Sequence, residues 1–284
     1  MKAVKLWGGL GNQMFQYAFG IYLSKKYGCN VSYYPHFGVS VSECPINVVV
    51  KNITFLPEED QRSMGCYYKN LLHYRIERKM AQKVPFLYTK LYVERNLCYH
   101  EILPEKSELF DGYWQSHKYL KDIDTEIRNS FSFVNIVNSF IMCEIQNSDS
   151  VFIHIRRGDY MNTKNQILFE ECKADYYVKA IHMMCSLVDN PKFFIFSNDI
   201  NWVKSNFKIF DMSVVFVENE TSVADFVCMQ ACKHAIIANS TFSWWAAWLI
   251  NNKSKRIIAP LNWYRNRKMN ETTSDLIPEE WIRI

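Results

Sequence analysis

The sequence lacks long apolar runs and any mark of export. No stretch of the 284 residues approaches the roughly 18 consecutive apolar residues that a membrane-spanning helix needs. The first residues, MKAVKLWGGLGNQ, lack the apolar core of a signal peptide. Nine cysteines are present, an odd number without a CxxC pair, which indicates reduced thiols rather than a disulfide framework or a zinc site. We therefore expect a cytoplasmic protein.

Strong charge, internal repeats and low-complexity segments are also missing. The net charge of +4 is too weak to indicate nucleic-acid binding, although it permits contact with an anionic surface at the inner face of a membrane. Apolar residues make up 49% of the chain and charged residues 22%, a composition that predicts a substantial core. Aromatic residues reach 15%, and Trp and Tyr often line carbohydrate or nucleotide sites, but buried aromatics are more often core.

A glycine-rich turn follows the first predicted strand, but it matches neither of the usual phosphate-binding patterns. The strand is predicted over 3–7, the turn over 8–12 and a helix over 13–27. Glycines allow a ligand to approach the backbone, and a helix N-terminus offers free N–H groups to an anion. Asn12 lies at the helix entrance, where it either caps the helix or meets a ligand.

The most informative stretch is VFIHIRRGDY at 151–160. Its apolar, β-branched start predicts a buried strand, and the Gly-containing turn after it places His154, Arg156 and Arg157 at the carboxyl edge of a sheet, where open α/β sheets bind ligands. Arginine cannot lose its proton, and its planar fork matches phosphate oxygens. The stretch therefore favours a clamp for an anion such as a diphosphate. The alternative is that one arginine pairs with Asp159 and the other is solvated.

Strands and helices alternate from 151 onward, which predicts a doubly wound parallel sheet. Strands are expected over 151–155, 192–196, 214–217, 235–238 and 256–259. In the first half we predict a strand over 47–53 and one helix over 120–146, and the segment Tyr113–Gln115 either lines a sugar site or, for Trp114, packs in the core. We place the domain boundary after residue 148, giving domains over 1–148 and 149–284.

Polar residues follow the strands of this second domain and are expected to meet at one edge of its sheet. The candidate ligand-binding residues there are His154, Arg156, Asn198, Asp199, Asp225, Ser240, Thr241, Phe242 and Ser243. Such a set suits a nucleotide sugar, because arginine and a helix N-terminus bind phosphates and a carboxylate can accept both N1–H and the 2-amino group of guanine. Asp225 and Asp199 are the candidates for base or ribose. Each could instead cap a helix, and Ser240 could be an ordinary turn residue.

Five stretches together resemble the bacterial α-1,2-fucosyltransferases of glycosyltransferase family 11. They are GGLGNQMFQYAFG at 8–20, GYWQSHKY at 112–119, HIRRGDY at 154–160, FSND at 196–199 and NSTFSWWAAWL at 239–249. The resemblance implies an α/β fold of the GT-B type, with two Rossmann-like domains facing a cleft. It implies an N-terminal acceptor-side domain and a C-terminal donor domain, whose tail is expected to pack back on the first.

The resemblance also implies an activity, that of a galactoside 2-α-L-fucosyltransferase. The donor would be GDP-fucose, and the acceptor a terminal β-galactoside in an oligosaccharide or a lipid-linked glycan. Transfer would invert the anomeric carbon and require no metal or other cofactor. Two alternatives remain: another nucleotide-sugar transferase on the same fold, and a non-catalytic, lectin-like glycan-binding protein.

By motif position, Arg156 resembles the arginine that contacts the donor pyrophosphate, and His154 the residue that orients the donor. Asp225 resembles a guanine-contacting carboxylate, residues 240–243 a phosphate- and sugar-contacting loop, and Asn12 an asparagine that reaches across the cleft. The acceptor hydroxyl must lose a proton. Asp159 is one candidate base. The alternatives are that Asp159 holds Arg157 in place and that a departing phosphate oxygen accepts the proton.

Overall fold

The computed structural model describes residues 1–36, 38–64, 71–88, 90–102, 107–133, 139–157, 167–206, 214–219 and 221–284. They form two compact units. The first comprises Met1–Ser132 with Thr272–Leu276, and the second comprises Phe133–Glu271 with Ile277–Ile284. The expected boundary after residue 148 therefore lies inside the second unit, because the helix just before it packs against elements of that unit. The acceptor and donor roles of the two parts stay a prediction.

The first unit is a parallel sheet with helices between its strands. Its elements are β1 (Lys2–Leu6), α1 (Leu10–Tyr27), β2 (Val31–Pro35), α2 (Glu58–Ser63), α3 (Leu71–Lys83), β3 (Leu91–Val93), β4 (Leu109–Asp111) and α4 (Asp124–Ser130). Short 3₁₀ turns cover Val41–Glu43, Pro45–Val48, Pro85–Leu87 and His117–Tyr119. The described strands run in the order β2-β1-β4-β3, all parallel. The chain therefore moves to one side of β1 first and to the other side later, which leaves a crevice at the carboxyl ends of β1 and β4.

Two predictions for the first half were wrong. Residues 47–53 do not form a strand, because Pro45 opens a 3₁₀ turn and the N–H groups of Val49 and Val50 both donate to the Ile46 carbonyl at 3.0 Å. The helix predicted over 120–146 is broken. Its first part ends at Ser130, where Phe131 turns to an extended conformation, and the helix resumes at Ser139 as α5.

The second unit is a larger parallel sheet. Its elements are α5 (Ser139–Gln146), β5 (Asp149–Ile155), α6 (Ala174–Leu187), β6 (Pro191–Ser197), α7 (Ile200–Asn206), β7 (Val214–Phe216), α8 (Ser222–Ala231), β8 (His234–Ile236), α9 (Thr241–Leu249), β9 (Ile257–Ala259), α10 (Arg267–Glu271) and β10 (Ile282–Arg283). The order β10-β9-β8-β5-β6-β7 confirms the doubly wound sheet predicted from the alternating pattern. It is the strand order of a Rossmann fold, in which the direction of winding reverses between β5 and β8.

The core of the second unit explains why β5 lies at its centre. Val151, Ile153 and Ile155 are buried against Tyr177 and Met184 of α6, as expected for a strand covered on both faces. Hydrogen bonding along both edges fixes the position of its end: Ile155 pairs with Ser197 of β6, and Ile153 with Ile236 of β8. The residues after β5 are thus delivered to the point where the winding reverses.

Candidate active site

The crevice between β5 and β8 brings the strongest sequence motif next to a helix N-terminus. Arg156 directly follows β5, and Ser240 precedes α9, which begins shortly after β8. The ring of His154, on β5, lies 5.9 Å from the ring of Phe242 in the first turn of α9. The two segments predicted to meet at one sheet edge are therefore adjacent. Ligands of open α/β sheets bind at this kind of reversal point.

His154 is a buried neutral imidazole. Burial and the neighbouring positive charge of Arg156 lower the pKa of His154 to about 3, so that it stays uncharged at physiological pH. Its backbone carbonyl accepts a hydrogen bond from the Tyr177 hydroxyl at 3.2 Å, which ties the strand end to α6. Among the described residues, its Nδ1 atom has no hydrogen-bond partner although it is buried. A neutral imidazole at this point can exchange a hydrogen bond with a ligand, but it does not add positive charge.

Arg157, the second arginine of the motif, is held by contacts with the segment that follows β6. Its guanidinium lies 3.3 Å from the centre of the Trp202 ring, and its Nε is 3.7 Å from a carboxylate oxygen of Asp199. The backbone N–H of Arg157 donates to the side-chain oxygen of Asn198 at 2.9 Å. Asp199 also accepts the Trp202 N–H at 3.4 Å, so the helix-cap interpretation of Asp199 fits the geometry. Asp159, the partner of Arg157 that the sequence suggested, lies outside the described residues.

The first turn of α9 offers backbone donors to an anion. Ser240 is the N-cap in an extended conformation and makes no side-chain capping bond. The first N–H groups of any helix have no acceptor within the helix itself. The Ser243 hydroxyl donates to the Ser240 carbonyl at 3.2 Å and is therefore engaged within the turn. Asn239 fixes the approach to the helix, because its side-chain amide donates to the Trp263 carbonyl at 2.9 Å. A positive helix end held in this way favours bound phosphate.

Asp225 lies in the first turn of α8 without capping it. The cap is the Thr221 hydroxyl, which accepts the Ala224 N–H at 3.1 Å, so the helix-cap alternative for Asp225 was wrong. Burial raises the pKa of the Asp225 carboxyl to about 6, while a hydrogen bond from the Asn219 side chain at 2.9 Å opposes the shift. The next residue, Phe226, packs edge-on against the ring of Phe242 at 5.2 Å. Helix α8, which carries Asp225 in its first turn, therefore packs against the first turn of α9 through this ring pair.

Asn12 belongs to the first unit. The cap of α1 is Gly9, so Asn12 does not cap the helix as one alternative held. Its side-chain oxygen accepts a hydrogen bond from the Gln115 amide at 2.9 Å, which joins the glycine-rich turn to the segment after β4. Gly8 has φ +80°, and a Cβ at that position would lie 2.6 Å from Nδ2 of Asn12. Glycine is therefore required at position 8 both by the left-handed backbone and by the closeness of Asn12.

The sequence interpretation missed a buried charged cluster beside the crevice of the first unit. Lys5 Nζ lies 3.3 Å from a carboxylate oxygen of Asp111, and both side chains are 1% exposed. The Tyr74 hydroxyl donates to the same oxygen at 3.0 Å, and Arg78 Nε lies 3.5 Å from it. Burial and the charge of Lys5 lower the pKa of His36 nearby, and Asp111 opposes that effect. Lys5 falls within the predicted strand over 3–7 and is separated from Asp111 by 106 positions, so no pattern in the sequence points to their pairing.

Aromatic rings cover this cluster at the crevice between β1 and β4. The rings of Trp7 and Tyr113 stack with their centres 4.1 Å apart, and the Trp7 indole N–H donates to the Gly112 carbonyl at 3.3 Å. Both side chains are half-buried. Trp114, in contrast, is buried and stacks on Phe19 at 3.9 Å, as the core interpretation predicted.

A buried carboxyl holds the backbone after β4. Glu94 accepts the N–H groups of Tyr113 at 2.6 Å and of Trp114 at 3.0 Å, and Trp114 has a left-handed φ of 58°. Burial raises the pKa of Glu94 to about 8 in spite of these two donors. The carboxyl therefore keeps an otherwise strained turn in place beneath Tyr113.

Three further observations concern metal-binding clusters, disulfides and membrane-spanning helices. Within the described ranges, His, Cys, Asp and Glu side chains do not gather in groups of three or more that could bind a metal ion. Every cysteine in the described part of the chain is a free thiol. Among the helices for which the structure gives a description, none has both the length and the apolar character needed to cross a membrane.

The architecture and comparisons with known proteins agree on one class. The fold is similar to that of the α-1,6-fucosyltransferase NodZ, solved after soaking with GDP-fucose, with a TM-score of 0.50 and 12% identity over 87% of this chain and 91% of that one. Two parallel α/β units with this likeness confirm the predicted fold class, an α/β fold of the GT-B type.

Sequence matches then give the family. Residues 88–284 match the model for Glycosyl transferase family 11. The chain is 32% identical over 303 residues to an α-1,2-colitosyltransferase of Escherichia coli, covering 99% of this chain and 97% of that protein. It is 26% identical over 255 residues to galactoside α-(1,2)-fucosyltransferase 2 of Rattus norvegicus, covering 85% of this chain and 65% of that protein. The chain belongs to glycosyltransferase family 11, as the motif resemblance predicted.

Proposed function

We propose that this glycosyltransferase moves L-fucose from GDP-fucose to the 2-hydroxyl of a terminal β-galactoside, with inversion at the anomeric carbon and without a metal ion. The observation that carries the proposal is the position of Arg156, which directly follows the central strand β5 and lies two residues after His154, whose ring is 5.9 Å from that of Phe242 in the first turn of α9. The names of both sequence relatives specify an α-1,2 linkage, and that of the rat relative specifies a galactoside acceptor.

The donor site proposed here lies in the second unit. Arg156 and the first N–H groups of α9 bind the diphosphate, and the neutral imidazole of His154 hydrogen-bonds the donor beside them. Asp225, in its ionised form, accepts N1–H and the 2-amino group of guanine. The remaining candidates divide by their contacts: Asn198 and Asp199 hold Arg157, while Ser240 to Ser243 form the turn that faces the phosphates.

Cleavage of the donor creates charge that this site can stabilise. The bond between the sugar C1 and the β-phosphate oxygen breaks, its electron pair leaves with GDP, and C1 acquires oxocarbenium character while the acceptor oxygen attacks from the opposite face. Arg156 and the end of α9 then meet the growing negative charge on the β-phosphate, the role that a divalent cation has in other transferases. A fixed donor of this kind contributes roughly 10²–10³ in rate. The acceptor proton goes either to Asp159 or to the departing phosphate.

The acceptor site is proposed for the first unit, at the crevice between β1 and β4. The half-buried rings of Trp7 and Tyr113 provide apolar surface for a sugar face. Arg78, which is 26% exposed, provides donors for sugar hydroxyls while its Nε stays close to Asp111. Because Lys5 and Asp111 are buried beneath these side chains, they fix their positions rather than contact the glycan themselves.

A second donor is favoured by a specific observation. The relative that is 32% identical over nearly the whole chain is named a colitosyltransferase, and colitose differs from fucose by the absence of the 3-hydroxyl. A site built to hydrogen-bond that hydroxyl would reject colitose strongly, whereas a site with an apolar surface there would accept both sugars. Competition between GDP-fucose and GDP-colitose for the same acceptor separates these two specificities.

The direct test is transfer in the presence of EDTA. The purified protein is incubated with GDP-fucose and a panel of galactosides, and the linkage of the product is determined by NMR. We expect an α-1,2-linked fucose on a terminal β-galactose and release of GDP at a rate that EDTA does not change. Release of GDP only after a divalent metal is restored would contradict the metal-independent mechanism. Glycan binding without any transfer would favour the lectin-like alternative.

A further inference from the structure

Helix α3 of the first unit exposes a row of apolar side chains to solvent. Its inner side is anchored by Tyr74 and Ala81, which are buried, and by the hydrogen bond from Tyr74 to Asp111. Its outer side carries Leu72, Ile76 and Met80, which are 66%, 55% and 41% exposed. Their four-residue spacing places them on one stripe of the helix. Because these side chains face solvent, packing in the core does not explain why they are apolar.

Two more large apolar side chains are exposed in the turn that follows the helix. Phe86 and Leu87, in the 3₁₀ turn after α3, are 74% and 67% exposed. Isolated exposed apolar residues are ordinary on protein surfaces, but a succession of large ones within one short segment marks an interaction surface. We name this set the α3 surface: Leu72, Ile76, Met80, Phe86 and Leu87.

A row of positive charge runs beside the apolar stripe. Arg75, Lys79 and Lys83 each follow an apolar residue of the stripe by three positions, so the two rows lie next to each other on the outer side. Within the described part of the chain, none of the three forms an ion pair. The sequence of α3 contains a single acidic residue, Glu77. Placement of Lys83 in the last turn suits the helix dipole, but that effect does not account for Arg75 and Lys79.

An apolar stripe beside a basic row favours a lipid surface over a protein as the partner of this helix. Protein–protein interfaces are depleted in Lys at their centres, whereas helices that lie in a membrane interface pair Leu and Phe with Lys and Arg. We propose that the α3 surface docks on an anionic phospholipid bilayer, with the apolar side chains entering the headgroup region and the basic row meeting lipid phosphates. A transferase held in this way would meet a lipid-linked glycan at the surface that carries it.

Binding to vesicles tests this proposal with the full-length chain. We expect the protein to sediment with vesicles of phosphatidylglycerol and phosphatidylethanolamine, and to bind vesicles of phosphatidylcholine far more weakly. Each basic residue near an anionic surface raises binding roughly fivefold, so Arg75→Glu/Lys79→Glu/Lys83→Glu should lower the partition coefficient by at least about a hundredfold. Leu72→Ser/Ile76→Ser/Phe86→Ser removes apolar side chains that enter the headgroup region, and it should also lower the partition coefficient by at least about a hundredfold.

Matched variants elsewhere on the surface control for charge and hydrophobicity. Lys121→Glu/Lys253→Glu/Lys268→Glu changes as many exposed positive charges, and Val48→Ser/Ile167→Ser/Leu261→Ser removes as many exposed apolar side chains. The partition coefficients of both controls on anionic vesicles should stay within about threefold of the wild-type value, once they are corrected for the change in net charge. Because all substituted side chains are exposed, thermal midpoints and turnover on a short water-soluble acceptor should stay close to wild type in every variant.

Three results would overturn the proposal. The first is that the wild type does not bind anionic vesicles. The second is binding that the α3 variants and the control variants reduce equally. The third is a dimer, detected by light scattering without lipid, that the α3 variants convert to a monomer. That result would assign the α3 surface to a second copy of the chain.

Discussion

Replacing Arg156 by Lys keeps a positive charge after β5 but removes the planar fork that can bind two phosphate oxygens at once. If Arg156 contacts the diphosphate, part of the stabilisation of the leaving group is lost in the transition state. Removal of one such donor lowers the rate by roughly 10²–10³. We therefore expect Arg156→Lys to lower kcat by about a hundredfold, because the point charge survives, and Arg156→Ala to lower it by about a thousandfold or more.

Arg157 provides the matched control, because it is adjacent in sequence and differs in its contacts. It stacks on Trp202 and pairs with Asp199, whose side chain is 41% exposed, so the ion pair itself contributes little. Arg157→Lys should lose about 1 kcal/mol of the stacking energy, which lowers Tm by roughly 2–4 °C.

The assay measures kcat and KM for GDP-fucose in all three variants, together with Tm. Arg157→Lys should keep kcat within about tenfold of the wild type while its Tm falls. The reasoning fails if Arg156→Lys turns over at the wild-type rate. It also fails if Arg157→Lys loses as much turnover as Arg156→Ala at an unchanged Tm.

Three further predictions follow from the contacts of single residues. The pKa of Asp225 is raised to about 6, so its carboxylate is lost as the pH falls through that value; the affinity for GDP-fucose, followed by tryptophan fluorescence, should decrease by up to about tenfold per pH unit below it, and Asp225→Asn should abolish this dependence. Gly8→Ala forces a left-handed alanine against Asn12 and should lower the free energy of unfolding by about 1–2 kcal/mol in urea titrations; unchanged stability would show that the turn adopts another conformation. Lys5→Met leaves the buried Asp111 with Arg78 and Tyr74 as its remaining partners and should cost up to about 3 kcal/mol, of which Lys5→Met/Asp111→Leu recovers a part; equal losses in the single and double variants would contradict a coupled pair.

The strands of the second unit could be predicted well because their local sequence pattern agrees with their place in a buried parallel sheet. Buried parallel strands are continuously apolar, and each is followed by polar residues and a helix, so β5, β6 and β8 could be located within two or three residues. The turn chemistry after them also indicated which side chains meet. The contact of Arg157 with Asp199 could not be foreseen, since it depends on how the ends of adjacent strands are placed.

The first unit was less predictable because its informative contacts join distant residues. Lys5 and Asp111 are separated by over a hundred positions, and each has an ordinary local explanation. Residues 47–53 have the β-branched composition of a strand, but Pro45 and the local hydrogen bonds produce a 3₁₀ turn instead. The domain boundary was misplaced because α5 reads as the end of a long helix, whereas its packing partners, α8 and β5, lie later in the chain.

The chain also crosses between the units near its end, which no local pattern indicates. Asp275 accepts the Tyr99 N–H at 2.8 Å and pairs with Lys118 at 2.7 Å, so the segment Thr272–Leu276 belongs to the first unit. The chain then returns to the second unit, where β10 pairs with β9. Two-residue strands such as β10 have too few residues to show a period, and only tertiary contacts define them.

The central claim is that the crevice between β5 and β8 binds the diphosphate of a nucleotide sugar. Isothermal titration of GDP-fucose into the full-length protein, in EDTA, tests it most directly. The account predicts saturable binding by the wild type and by Arg157→Lys, and a loss of at least about tenfold in affinity for Arg156→Ala. It would be contradicted by a wild-type protein that binds galactosides but not GDP-fucose, or by an Arg156→Ala variant that binds GDP-fucose as tightly as the wild type.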